Sequence, residues 1–219
     1  IQMSINEIQI WEQLNNAHTN QPDISWLGEI YSLELSRELR IAIAEQLGVR
    51  SQQGWGTIKY LYQKFGVQPE LIHAAGLSHQ PEARDWLLTM LTEQEELNIF
   101  ILQALACWGA SLPNDLLKKI LVQPEAAKRL AGLTLLEFKA YQLSDKVLLD
   151  LTQELLHDFR DPVVIATLNI LKRRDGIEIC KTIAEVAETG SHATTHSAIM
   201  ALGSIGTKHS QKVLKKLKN

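Results

Sequence analysis

A chain of 219 residues with 22 Lys and Arg against 25 Asp and Glu carries a formal net charge of −3, which removes any general electrostatic reason to bind nucleic acid or an anionic membrane. It is 45% hydrophobic with 6 Pro and 12 Gly, enough apolar surface for a continuous core and few breakers for disordered stretches. Its two cysteines, Cys107 and Cys180, sit far apart in apolar helical stretches, so neither a disulfide framework nor a zinc cluster is expected, and a reducing, cytoplasmic setting is.

Apolar residues recur at helical spacing throughout, and no stretch alternates with period two, so the chain reads as all-α. Met3 reads as an initiator, with Ile1 and Gln2 as leftovers ahead of it. The first helix pair is expected over Ser4–His18 and Asp23–Leu33, with Ile5, Ile8 and Trp11 as a stripe and Gln21-Pro22 as the break. The second is Ser36–Gly48 with Trp55–Phe65, joined by the polar Arg50–Gly54 segment read as a loop. The third is Pro69–Ser78 with Pro81–Thr92, each opened by a proline, which the first helical turn tolerates.

Glu95–Gly109 with Pro113–Val122 make the fourth pair. Glu95–Gly109 is apolar nearly all round its wheel, so a sandwiched helix is expected; broken by Gln103, its apolar run is too short to span a bilayer. Pro124–Tyr141 with Ser144–His157, Asp161–Arg174 with Gly176–Glu188, and His192–Ile205 with Ser210–Leu217 complete about seven pairs. One leucine per unit, at Leu47, Leu77, Leu105, Leu136, Leu171 and Leu202, gives intervals of 30, 28, 31, 35 and 31 residues. A period in this range marks stacked supersecondary units. The expected architecture is a right-handed α-α superhelix spanning 1–219 as one domain. Residues 1–35 form divergent capping helices and 36–219 the repeats, and the second helix of each pair lines the binding face.

The last unit reads Ser197-Ala198-Ile199-Met200-Ala201-Leu202-Gly203-Ser204-Ile205-Gly206-Thr207, followed by Val213 and Leu214 on a second helix. Small Ala198 and Ala201 would let helices approach, Leu202 would fill the core, and Gly203 and Gly206 would let the helix end and turn. This unit resembles the HEAT-like repeat of the phycobilisome lyase family of cyanobacteria; Asp161-Pro162-Val163-Val164 resembles the family's repeat opening, and Leu39-Arg40 its Val-Arg step. Most units lack the family's arginine, as Ile165 after Val164 shows, and the middle units lack its Leu-Gly turn, as at Leu136-Glu137 and Leu171-Lys172. The resemblance implies an α-solenoid that interacts with bilins or phycobiliprotein subunits. It would assist chromophore attachment or, as in the stand-alone NblB type, detachment. The alternative is a non-catalytic scaffold holding a partner protein.

Candidate sites follow from residue types. His192 and His196 stand at i, i+4 but lack the intervening Glu of a zincin motif, and no metal site is expected. Cys107 and Cys180 read as core fillers, with transient bilin attachment as the alternative. Trp55, Lys59 and Tyr62 form a stripe about 70° from the core stripe Ile58, Leu61 and Phe65. With Arg84 and Trp86 from the next pair they supply the flat apolar walls and cations that a tetrapyrrole such as phycocyanobilin needs; the alternative is that they fill gaps between imperfect repeats. Lys172-Arg173-Arg174 and the lysines at 208, 212, 215, 216 and 218 read as solvated helix ends or as a docking surface for an acidic protein.

Overall fold

The computed structural model describes residues 5–217, the side chain of Ile5 excepted; Ile1–Ser4 and Lys218, which the sequence reading used, lie outside the described residues. Every regular element among them is helical. The chain falls into two compact units, 1–110 and 111–219.

The first unit holds α1 (Ile5–Asn15), α2 (Ile24–Ile30), α3 (Arg37–Gly48), α4 (Ser51–Phe65), α5 (Pro69–Leu77), α6 (Pro81–Glu93) and α7 (Ile99–Trp108). Helices α1, α3, α5 and α7 pack side by side in one layer, and α2 lies beside α4 in a second. The second unit holds α8 (Asn114–Leu121), α9 (Ala126–Lys139), α10 (Asp145–Thr152), α11 (Asp161–Leu171), α12 (Ile177–Thr189), α13 (His192–Ile205) and α14 (Lys208–Leu217). There α9, α11 and α13 form one layer and α8, α10, α12 and α14 the other. Each unit is thus a stack of helical hairpins in chain order, the arrangement of an α-solenoid repeat.

Local chemistry sets the helix starts. Side chains of Asp23, Ser36, Asn98, Ser144 and Ser191 accept hydrogen bonds from the first free backbone N–H groups of α2, α3, α7, α10 and α13. Pro69 and Pro81 open α5 and α6. At the C-termini, Gly109 and Gly206 adopt φ of 77° and 71° and close α7 and α13 in the left-handed region.

Glycines and alanines fix the spacing within the layer of first helices. A Cβ on Gly48 of α3 would meet the Ala74 carbonyl oxygen of α5 at 2.9 Å, and one on Gly76 of α5 would meet that of Ala104 of α7 at 2.4 Å. Backbones touch there, with leucines filling the space around them: Leu47, Leu105, Leu136, Leu171 and Leu202 are each fully buried. Leu77 is only half-buried, so in the third pair the interior position expected of a leucine is taken by Ala75 and Gly76.

Polar bridges repeat with the same period. Arg50 Nη2 donates to the Pro22 carbonyl across 28 residues, and the Trp108 indole N–H donates to the Gln80 carbonyl across 28. Arg129 reaches Asp158 across 29 and Arg174 reaches Asp145 across 29. Each ties one hairpin to its neighbour.

Further expectations change. The Arg50–Gly54 segment is not a loop, because α4 begins at Ser51. Gly54 lies inside that helix because a Cβ there would collide with the Leu47 carbonyl, 1.7 Å away; a close-packing glycine had the look of a loop glycine. Gly203 is likewise helical, with nothing within 4 Å of its Cβ position, and Gly206 alone makes the turn. Helix α7 starts at Ile99 with Asn98 as its cap, and Phe100 is 40% exposed, so this helix is not enclosed on every side. Ile177, the first residue of α12, is 65% exposed, while Cys180 one turn further on is buried.

Candidate functional site

Five aromatic and charged side chains meet where α4 faces α6. Positions 55, 59 and 62 lie on one face of α4, and 82 and 86 on one face of α6. The Tyr62 ring stacks on Trp86 with centroids 4.4 Å apart and planes at 18°, and Trp55 lies 5.6 Å from Trp86. Glu82 closes the cluster. Its carboxylate accepts the Trp55 indole N–H at 2.9 Å and the Lys59 ammonium at 2.9 and 3.1 Å, and those two donors hold the Glu82 carboxyl below the usual carboxylate range, Lys59 contributing most.

Of the residues singled out in the sequence, Trp55, Lys59, Tyr62 and Trp86 therefore come together and Arg84 does not. Arg84 points to the other side of α6, where it bonds Asp85 at 2.9 and 3.0 Å and lies 5.1 Å over the Trp108 ring. Trp55 is 3% exposed, deeper than an open tetrapyrrole wall would be; its N–H is satisfied by Glu82, which makes burial of the indole inexpensive. Tyr62 and Trp86 remain half-exposed. Glu82 was missed because its role depends on α6 lying against α4, and its 27-residue separation from Trp55, one repeat, is the signal that would have found it.

A second polar cluster is interior. The Tyr31 hydroxyl donates to Glu70 Oε1 at 2.8 Å, and Arg40 Nη1 stands 3.3 Å from the same oxygen. Burial, and then the Glu70 carboxylate, push the Tyr31 phenol well above its ordinary range. Tyr31 and Glu70 are both buried, so the cluster ties α3 and α5 to the end of α2.

The layers of second helices carry grooves. In the first unit, Ile24, Gly28, Glu29, Gly56, Tyr60 and Lys64 line one of about 400 Å³ between α2 and α4. In the second unit, Asp145, Lys146, Asp150, Ile177, Glu178 and Thr182 line one of about 560 Å³ between α10 and α12. Its neighbour between α12 and α14, about 270 Å³, has Ile177, Lys181, Ala184, Val213, Lys216 and Leu217. A fourth, about 250 Å³, has Leu121 of α8 and Val122 just past its end facing Asp150 and Leu151 of α10. Acidic groups dominate the α10–α12 groove and basic groups the α12–α14 groove, with Ile177 at the edge of both.

Burial pushes both thiols up, with Asp175 adding to it at Cys180; Cys180 is buried and Cys107 half-buried. His192 and His196 are exposed on α13, and no group of three or more His, Cys, Asp or Glu among the described residues could hold a metal ion. Arg173 pairs with Glu137 at 2.6 Å, and Arg174 bonds Asp145 and the Ala140 and Leu143 carbonyls. These two arginines bridge repeats. Lys208, Lys212, Lys215 and Lys216 are exposed on α14.

The two-layered hairpin stacks and their grooves define a helical-repeat protein, all-α in both units. No protein-family model and no curated protein matches the sequence. Among solved structures, the chain is similar to human deoxyhypusine hydroxylase in complex with glycerol, at 15% identity over 94% of this chain and 82% of that chain, with a TM-score of 0.41. No helix among the described residues is long and apolar enough to cross a membrane.

Proposed function

We propose that this chain is a helical-repeat binding protein that holds a partner protein against its second helices. The observation that carries the reading is the run of grooves along α8, α10, α12 and α14, each lined by residues of two successive second helices and large enough to accept side chains of a partner. The resemblance of Ala198–Gly206 to a phycobilisome lyase repeat makes a bilin-bearing phycobiliprotein subunit the partner to test first. For the bilin itself, the Tyr62–Trp86 stack and Lys59 supply a flat apolar surface and a cation, with Glu82 as the competitor a propionate would displace.

The test is titration with phycocyanin and, separately, with free phycocyanobilin, followed by co-elution and visible absorbance. Co-elution supports the binding reading, and loss of co-elution in Leu149→Asp, a change within the α10–α12 groove, places it on the second-helix layer. A spectral change with free phycocyanobilin that grows in Glu82→Gln and is lost in Trp86→Ala supports the bilin shelf. Absence of co-elution and of spectral change at micromolar concentrations would count against a phycobiliprotein partner.

A further inference from the structure

We infer that the groove between α12 and α14 seats an amphipathic helix with acidic flanks, supplied by a partner protein; this rests on the reading that the second helices are the binding face. The geometry comes first. On α12, Ile177, Lys181, Ala184 and Glu188 follow one another at i, i+4, i+7 and i+11, and on α14, His209, Val213, Lys216 and Leu217 line the opposite wall. The α12 stripe is about three turns long, roughly 16 Å at 1.5 Å per residue, which matches an apolar stripe of similar length on a helix laid between them.

The chemistry then selects the occupant. The floor is apolar, built from Ile177, Ala184, Val213 and Leu217. Ile177, the first residue of α12, is 65% exposed, an isoleucine left in water where this groove borders the α10–α12 groove. The rim is mainly basic: Lys181 and Lys216 stand beside the floor with Glu188 as the one carboxylate, and Lys208, Lys212 and Lys215 continue along the exposed side of α14. No ion pair joins any of these lysines to a carboxylate among the described residues. Arg129, Arg160 and Arg174 in the same unit, by contrast, are all paired. An apolar floor with an unpaired basic rim complements a helix carrying leucines on one face and Asp or Glu on its flanks. The acidic α10–α12 groove next to it would repel the same ligand, which fixes it to one groove.

The test uses the intact chain and a labelled synthetic peptide of about 14 residues with leucines at i, i+3, i+4 and i+7 and glutamates elsewhere, compared with a twin in which lysine replaces glutamate. The acidic peptide is expected to bind at least about tenfold more tightly by fluorescence anisotropy and to weaken as salt rises. Ile177→Asp should lower that affinity about tenfold with unchanged helical circular dichroism, since the side chain is largely exposed, and Lys181→Glu with Lys216→Glu should reverse the preference between the two peptides. Equal affinity for the two peptides, or an affinity that these variants leave unchanged, overturns the inference. So does self-association abolished by Ile177→Asp but not competed by the acidic peptide, which would make a second copy the occupant. If the phycocyanin complex forms while the acidic peptide fails to bind, the occupant is wrong and the proposed function stands; a bound peptide with no phycocyanin complex is the converse.

Discussion

Single atoms decide several outcomes in this chain, and glycines show it best. Replacing a helical glycine by alanine ordinarily stabilises by about 0.5–1 kcal/mol. Gly203→Ala should do so, because nothing lies within 4 Å of the added methyl. Gly54→Ala should do the reverse and cost at least the 1–3 kcal/mol typical of overpacking, since its Cβ would sit 1.7 Å from the Leu47 carbonyl oxygen. Urea midpoints that move in opposite directions for the two variants check the pair. Asp158 gives a titration counterpart. Hydrogen bonds from the Arg160 side chain, with Arg129 close by, hold its carboxyl at about 2. A folded value below the unfolded one means that the ionised form stabilises the fold above about pH 4, and that this stabilisation fades as pH falls towards 2. Asp158→Asn should therefore cost on the order of 2 kcal/mol at neutral pH and flatten the loss of stability between about pH 4 and 2, measured by urea unfolding across that range.

Helices in this protein are short and borrow their stability from caps and neighbours. The Asn98 side chain accepts from both Phe100 and Ile101 backbone N–H groups, so Asn98→Ala should destabilise by about 1 kcal/mol, read as a lowered thermal midpoint. At this scale the sequence was legible at Ser36, Pro69, Pro81 and Ser144, which bound helices as read, but not at Pro124 or Ser210, since α9 begins at Ala126 and α14 at Lys208. It misled where one residue type serves two purposes. Gly54 looks the same in sequence whether it opens a loop or lets α4 press on the turn after α3. Trp55 and Tyr62 share a stripe, yet their depth depends on α6, and the Glu82 that lets Trp55 sink lies a whole repeat away. Ile177 is apolar and in phase with the core stripe, but it occupies the first position of α12, where the helix has no neighbour to cover it.

The period itself was plainly readable across the molecule, because a hairpin that cannot bury its own face must present leucines at the same interval as its neighbours. The grooves were less so, since each is made by two helices a repeat apart. The partition into 1–110 and 111–219 has a direct spectroscopic consequence. All five tryptophans, Trp11, Trp26, Trp55, Trp86 and Trp108, belong to the first unit. Tryptophan fluorescence should follow one transition in urea, while circular dichroism, which sees helices in both units, follows a broader or two-step one; coincident curves would show the units melting together. The one-repeat polar bridges, Arg50 to Pro22, Arg129 to Asp158 and Arg174 to Asp145, also make each hairpin a link fastened to the next. Pulled from its ends, such a chain should yield link by link in a sawtooth. Each tooth should release about 28 residues of slack, close to 95 Å of contour at ~3.4 Å per residue, so the one-repeat span of those bridges becomes a length that a cantilever can measure.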